Sequence, residues 1–240
     1  MSSIDNIALD VALQKSVADG LRPAVMWMWD WAEPAVILGS FQSVANEIDT
    51  EELEQRGFTF ARRMTGGGAM IVEPGKTITY SVIVPESLAD GMSYRESFAL
   101  FDRWAVQAFR SLGIPATYKP INDIASPVAK IGGAAQARRW GALLHHTTIA
   151  YDLREETLMS VLRLGRERMQ TKGIPSAQKK VSPLNTFTDR TREDIQQYMM
   201  DAFADLYTCT PSEPAAEERT YASNLASEKL GTKEWLRRVE

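Results

Sequence analysis

The 240-residue chain has one cysteine, Cys209, and two histidines, His145 and His146. A single thiol excludes an intrachain disulfide framework and a Cys-rich zinc site. The two histidines are adjacent, so on a strand they point to opposite faces and no more than one serves a given site. No uncharged run approaches the ~18 residues of a membrane span. The segment Met1–Asn6 has no basic region ahead of an apolar run, so no secretory signal is expected. The net charge is −4, which leaves no cationic excess for holding nucleic acid by bulk charge. With 44% hydrophobic residues the chain buries a real core, and its length fits one large domain or two small ones. These absences lead us to expect a cytoplasmic protein, one domain over 1–240, working without thiol chemistry.

Hydrophobic periodicity supplies the elements. Ile7, Ala8, Val11 and Ala12 predict an amphipathic helix that stops near Gly20. Strands are predicted at Val25–Trp31, Ala35–Gly39, Phe58–Arg63, Ala69–Val72 and Thr77–Val84, the last with Ile78, Tyr80, Val82 and Val84 on one face. Between them, Asp49–Arg56 reads as a helix ending at Gly57. The clearest helix is Ser93–Leu112, opened by the capping pair Ser93 and Glu96 and closed by Gly113 and Pro115. Strand pieces follow at Ala116–Lys119, Ala129–Ile131 and Ala142–Asp152, and then helices at Glu155–Leu164, Arg192–Leu206 and Ala215–Arg238. The order predicts an α+β fold with a mixed, largely antiparallel sheet flanked by helices.

Three segments carry candidate chemistry. In Arg62-Arg63-Met64-Thr65-Gly66-Gly67-Gly68-Ala69, successive glycines weaken the local fold. The run is either a flexible hairpin turn with solvated arginines or an anion-binding nest of backbone N–H groups fed by forked guanidinium donors. Gly75-Lys76-Thr77 imitates the end of a phosphate loop, but Met70 stands where that loop needs glycine and a strand follows. Asn122-Asp123 fits an Asx turn. Lys130-Ile131-Gly132-Gly133-Ala134-Ala135-Gln136 puts a lysine at a strand end beside small residues, either as a surface lysine on a Gly-rich turn or as a point charge for a carboxylate or phosphate. Cys209 reads as a small packing residue.

Taken together, Arg62–Ala69, Asn122-Asp123, Lys130–Gln136, His145-His146-Thr147-Thr148 and the basic loop from Lys172 through Val181 resemble the lipoate-protein ligase family within the biotin/lipoate ligase fold. The similarity runs from about Asn6 to Trp235, in order and spacing as well as residue type. It implies activation of lipoate or octanoate by ATP to an acyl-adenylate. Transfer to a lysine of an acceptor lipoyl domain follows, on a 2-oxoacid dehydrogenase E2 or a glycine-cleavage H protein. By this resemblance Lys130 is the catalytic lysine. The nucleotide and acyl group are expected at Arg62, Arg63, Thr65, Gly66, Gly67, Gly68, Ala69, Asn122, Asp123, Gly132, Gly133, His146 and Thr148, and Asp123 helps hold Mg²⁺. Strand alternation turns only one of Arg62 and Arg63 inward. The faces of Trp27, Trp29 and Trp31, or of Ile78 and Tyr80, are candidates for the acyl tunnel, although such stripes are ordinarily core.

The resemblance is incomplete in three places. Lys76 stands where the family usually has Asn, and Thr147 where it has Gly. The accessory carboxy-terminal domain of larger members is not expected, so a separate accessory subunit is. A rival on the same fold, an octanoyl- or lipoyl-transferase, uses a cysteine near the Asn122-Asp123 region, where this chain has none. The biotin branch carries an Arg-Gly-Arg-type loop in place of Thr65–Gly68, and a non-catalytic ligase fold is the third rival. Arg138, Arg139, Lys179 and Lys180 are a candidate basic patch for an acidic lipoyl domain, or solvated surface charge.

Overall fold

The computed structural model describes residues 1–164, 167–169, 171–177 and 180–240. Helix α1 (Ser3–Ala18) leads to strands β1 (Val25–Trp29) and β2 (Ala35–Leu38), short helices α2 (Val44–Glu47) and α3 (Thr50–Gln55), and strands β3 (Thr59–Arg62), β4 (Met70–Val72) and β5 (Thr77–Pro85). Helix α4 (Tyr94–Ser111) precedes β6 (Thr117–Lys119), β7 (Asp123–Ala125), β8 (Lys130–Arg139) and β9 (Ala142–Ala150). Helices α5 (Glu155–Val161), α6 (Arg192–Leu206), α7 (Ala216–Leu225) and α8 (Lys233–Leu236) complete the order.

The strands form two sheets. One is antiparallel throughout, in the order β1-β5-β9-β8-β7-β6, and the other places β2 between a parallel β3 and an antiparallel β4. Local rules account for many boundaries. Ser93 caps α4 and Glu96 answers to the Ser93 backbone, so the predicted capping box is present, and Gly57 and Gly113 take the left-handed conformation that ends α3 and α4.

Helix α1 departs from the amphipathic expectation, being buried on nearly every side. Its apolar residues lie between the two sheets, against Ile83 and Leu144 of the large sheet and Ile37 and Ala61 of the small one. Its polar residues Asn6, Asp10 and Gln14 are also buried, and each is bonded. Asn6 donates to the Asp30 carbonyl and Gln14 to the carbonyls of Ala137 and Ala142. Helices α4 and α6 cover the other face of the large sheet, where Ile78, Tyr80, Val82 and Val84 meet Phe101, Trp104 and Phe109. Trp29 and Trp31 are core in the α1 layer, donating to Ser81 and Thr79, so neither tryptophans nor Ile78-Tyr80 line a tunnel. The outer face of the small sheet packs against α2, α3 and α5.

Lys130 stands at a strand end as expected, but the small-residue run after it is not a turn. It lies inside the ten-residue β8, where Gly132 pairs with Ile149 and Gly133 with Thr148. Glycine is needed there because neighbouring groups occupy the space of a Cβ, as the site shows. Among the described residues no helix is long and apolar enough to cross a membrane.

Candidate active site

The glycine run is a held loop. Arg63 is buried and donates from Nη2 to the carbonyls of Gly66 and Gly68, from Nη1 to that of Ile37, and from Nε to Thr65 Oγ1. Thr65 Oγ1 lies 2.9 Å from His146 Nε2, and His146 Nδ1 lies 2.8 Å from Asp10 Oδ2. A carboxylate only accepts, so His146 donates from Nδ1, and Nε2 is left to accept from the Thr65 hydroxyl. Trp27 Nε1 donates to the other Asp10 oxygen at 3.0 Å. The chain of bonds thus runs from the loop carbonyls through Arg63, Thr65 and His146 to a carboxylate on α1. Below it, Gly39 lies against the Gly67 carbonyl so closely that any Cβ would overlap the oxygen.

Burial lowers Arg63 to about 10, so it remains a cation at neutral pH, and among the described residues no carboxylate is paired with it. Burial is also the largest influence on His146, pulling it below its ordinary value against the opposing pull of Asp10. Below the ordinary histidine value of about 6.5 the unfolded chain takes up a proton that folded His146 resists, so stability falls as the pH drops through this window. Thermal melts at pH 7.5 and 5.5 should show a larger loss for the native chain than for His146→Gln. Equal losses would show that His146 does not supply the effect.

Lys130 starts β8 and lays its side chain across Gly133, whose Cβ would fall 2.8 Å from Lys130 Cε and overlap Nζ. Nζ is 2.9 Å from Oδ1 of Asp123, which is buried on β7 opposite Gly133. Gly132 serves a different purpose: a Cβ there would fall 2.8 Å from the Thr148 carbonyl and overlap the Ile149 side chain. Asn122 makes no simple Asx turn; its amide donates to the Ala134 carbonyl and its own carbonyl accepts from Ala134 N–H.

These groups meet at one cavity of about 500 Å³. Its polar end holds Arg63, Asn122, Asp123, Lys130, His146 and Thr148. Its apolar end is walled by Ile71, Ala150, Leu153, Leu158 and Leu162, none of which the sequence marked out as site residues. A strap at 172–177 crosses nearby, where Ser176 Oγ accepts from Ala69 N–H at 2.8 Å and from Gln42 at 2.9 Å.

Of the predicted site residues, Arg63, Gly67, Gly68, Ala69, Asn122, Asp123, Lys130, Gly132, Gly133, His146 and Thr148 border the cavity. Arg62, Thr65 and Gly66 do not. Both arginines are buried, but as strand alternation requires only Arg63 faces the cavity; Arg62 turns away to the carbonyls of Gly39, Gln42 and Leu236, fastening the carboxy-terminal segment to β3. The His146 ring nitrogens are both engaged, so it positions the loop and offers a ligand only its ring. Asp123 fits poorly as a magnesium ligand. Its Oδ1 faces the Lys130 ammonium, and no group of three His, Cys, Asp or Glu among the described residues is placed to hold a metal. Cys209 is exposed after α6 rather than packed. The candidate basic patch is divided: the Lys180 carbonyl accepts from Lys130 N–H at one end of β8, while Arg138 and Arg139 lie at the other, roughly 27 Å away at strand rise. Lys179 is outside the described residues.

The two residue departures are accommodated. Lys76 pairs with Glu73 at 2.8 Å. Thr147 donates to Asp102 of α4 at 2.7 Å, an oxygen that also accepts from Tyr80 and lies 2.7 Å from His145 Nε2.

The family model for the lipoyl protein ligase A/B catalytic domain matches residues 3–204. The chain is 32% identical to an octanoyltransferase LipM of Geobacillus kaustophilus, over 96% of this chain and 92% of that one. It is 27% identical to lipoate-protein ligase A subunit 1 of Thermoplasma acidophilum, over 96% and 90%. The putative lipoate protein ligase Ta0514 of T. acidophilum, solved with bound lipoic acid, superposes with a TM-score of 0.81 at 25% identity, covering 98% of this chain and 95% of that one. Fold, loop and family match agree: the chain belongs to the lipoyl protein ligase A/B catalytic domain family.

Proposed function

We propose that this protein is an ATP-dependent lipoate-protein ligase, acting on lipoate or octanoate. The observation that carries the reading is the cavity, cationic at one end and apolar at the other, with no cysteine on its wall. An amphiphilic acid fits that gradient, its chain among Ile71, Leu153 and Leu158 and its carboxylate toward Lys130. In the first step a carboxylate oxygen attacks the α-phosphorus of ATP and pyrophosphate leaves, with Mg²⁺ arriving on the nucleotide's phosphates. In the second the ε-amine of an acceptor lysine attacks the acyl carbonyl, the bond to AMP breaks, and the amine loses a proton as the amide forms. Lys130 is placed to stabilise charge on the carboxyl and phosphate oxygens in both steps, and the Gly67–Ala69 backbone lies along the adenylate. The acceptor is a lipoyl domain of an E2 or H protein. A separate accessory subunit belongs to the same proposal, supported by the relative that is named as one subunit.

Likeness to the octanoyltransferase favours a second reading, acyl transfer between carrier proteins without ATP. That route needs an activated thiol in the cavity, and the chain's only cysteine is exposed on the segment after α6. ATP–pyrophosphate exchange with lipoate, octanoate and biotin, run with and without an accessory subunit, separates the two. Exchange that depends on lipoate or octanoate supports the ligase. Acyl transfer from a carrier-protein thioester with no exchange, abolished in Cys209→Ser, supports the transferase. A normal exchange rate by the chain alone would remove the need for an accessory subunit.

A further inference from the structure

The cavity wall changes character within one strand. Successive inward positions of β9 are His146, Thr148 and Ala150, all three on the cavity, and Thr148 is level with Gly133, over which Lys130 lies. Two residues on, the strand offers only the methyl group of Ala150, and beyond it stand Leu153 and Leu158, the latter partly buried on α5. From Thr148 to Ala150 is about 7 Å of strand, the span of roughly five or six extended carbons. A chain whose carboxyl group lies at Lys130 therefore passes Ala150 at about its fifth or sixth carbon and reaches the α5 wall with those that follow.

We propose that Ala150 and Leu158 set the acyl-chain length this protein accepts: Ala150 by leaving the passage open beside the strand, Leu158 by closing its far end. The inference rests on the ligase reading for the place of the carboxyl group, and it adds a specificity that the reading does not contain. Ala150 lines the cavity, so the side chain introduced by Ala150→Leu takes up space on the acyl chain's path. Each carbon excluded forfeits burial equivalent to roughly a fourfold loss in binding. Leu158→Ala removes part of the end wall and admits additional carbons.

The test uses the full chain with straight-chain acids of increasing length, from butanoate to dodecanoate, and two measurements: calorimetric binding of each acid and acid-dependent pyrophosphate exchange. For Ala150→Leu the octanoate-to-butanoate ratio should fall at least tenfold in both measurements. For Leu158→Ala the preferred length should move up by two carbons or more. A native length profile in either folded variant overturns the proposal, and should Ala150→Leu not fold, Leu158→Ala alone decides. A native chain that binds octanoate but gives no pyrophosphate exchange even with an accessory subunit present refutes the adenylation reading, while the binding profiles still judge the length assignment. A native chain that binds none of the acids overturns both.

Discussion

Lys130→Ala is expected to slow lipoate-dependent pyrophosphate exchange by about 10²–10³-fold, the usual effect of removing one charge-assisted transition-state contact. Among the described residues no neighbour replaces it. Arg63 is a second cation on the cavity wall, but its donors are directed to the loop carbonyls and to Thr65, and reaching a ligand would dismantle the loop. Lysine at this position also neutralises Asp123, whose side chain is only 4% exposed. Removing the ammonium takes this partner from a buried carboxylate, at a cost of about 1–2 kcal/mol. This is less than for a fully buried pair, because the Lys130 side chain is 29% exposed and water screens the site. Asp123→Asn added to Lys130→Ala should restore much of the stability and none of the rate, measured by urea unfolding beside the exchange assay. An exchange rate for Lys130→Ala within threefold of native would remove the lysine from the mechanism.

Neighbouring glycines should separate activity from stability. In Gly133→Ala the new methyl group falls on the far end of the Lys130 side chain, which is flexible, so the lysine is displaced and the fold stays. The expected result is a rate loss of about 10²-fold with a stability change under about 1 kcal/mol. In Gly132→Ala the methyl group meets the Thr148 carbonyl and the Ile149 side chain, which are fixed by the sheet and the core. There the strand pairing must give way, and a stability loss of about 1–3 kcal/mol is expected. Thermal or urea unfolding with the exchange assay resolves both. If Gly133→Ala lost as much stability as Gly132→Ala, the lysine's position over Gly133 would not be the reason for the glycine. With Lys130→Ala already present, Gly133→Ala should add no further rate loss.

The α4 capping box, the glycine ends of α3 and α4 and the alternation along β5 were legible in sequence because each is decided by residues a few positions apart. Beside the motifs, the sequence carries one further signal of a buried helix: Asn6, Asp10 and Gln14 stand four residues apart on a helix otherwise full of apolar residues. A polar stripe at that spacing is tolerated in a buried helix only where each member is bonded. The strand character of Gly132-Gly133 was hidden, since glycines in a row read locally as a turn and only the approach of Thr148 and Lys130 explains them.

The order of predicted strands and helices determined the α+β class, and the order and spacing of the glycine run, the Asn122-Asp123 pair and the lysine segment carried the family resemblance, because those features are written in consecutive residues. Tertiary structure alone decided that Arg63 faces the cavity and Arg62 the carboxy-terminal segment, that Asp10 holds His146 across 136 positions, and that Asp123 answers Lys130. It also decided that the apolar end of the cavity is walled by Ile71, Leu153 and Leu158 rather than by the tryptophans. Local propensity reaches one turn of helix or one strand pair, whereas burial depends on which distant surfaces the sheets and α1 press together. That choice belongs to the packed chain as a whole.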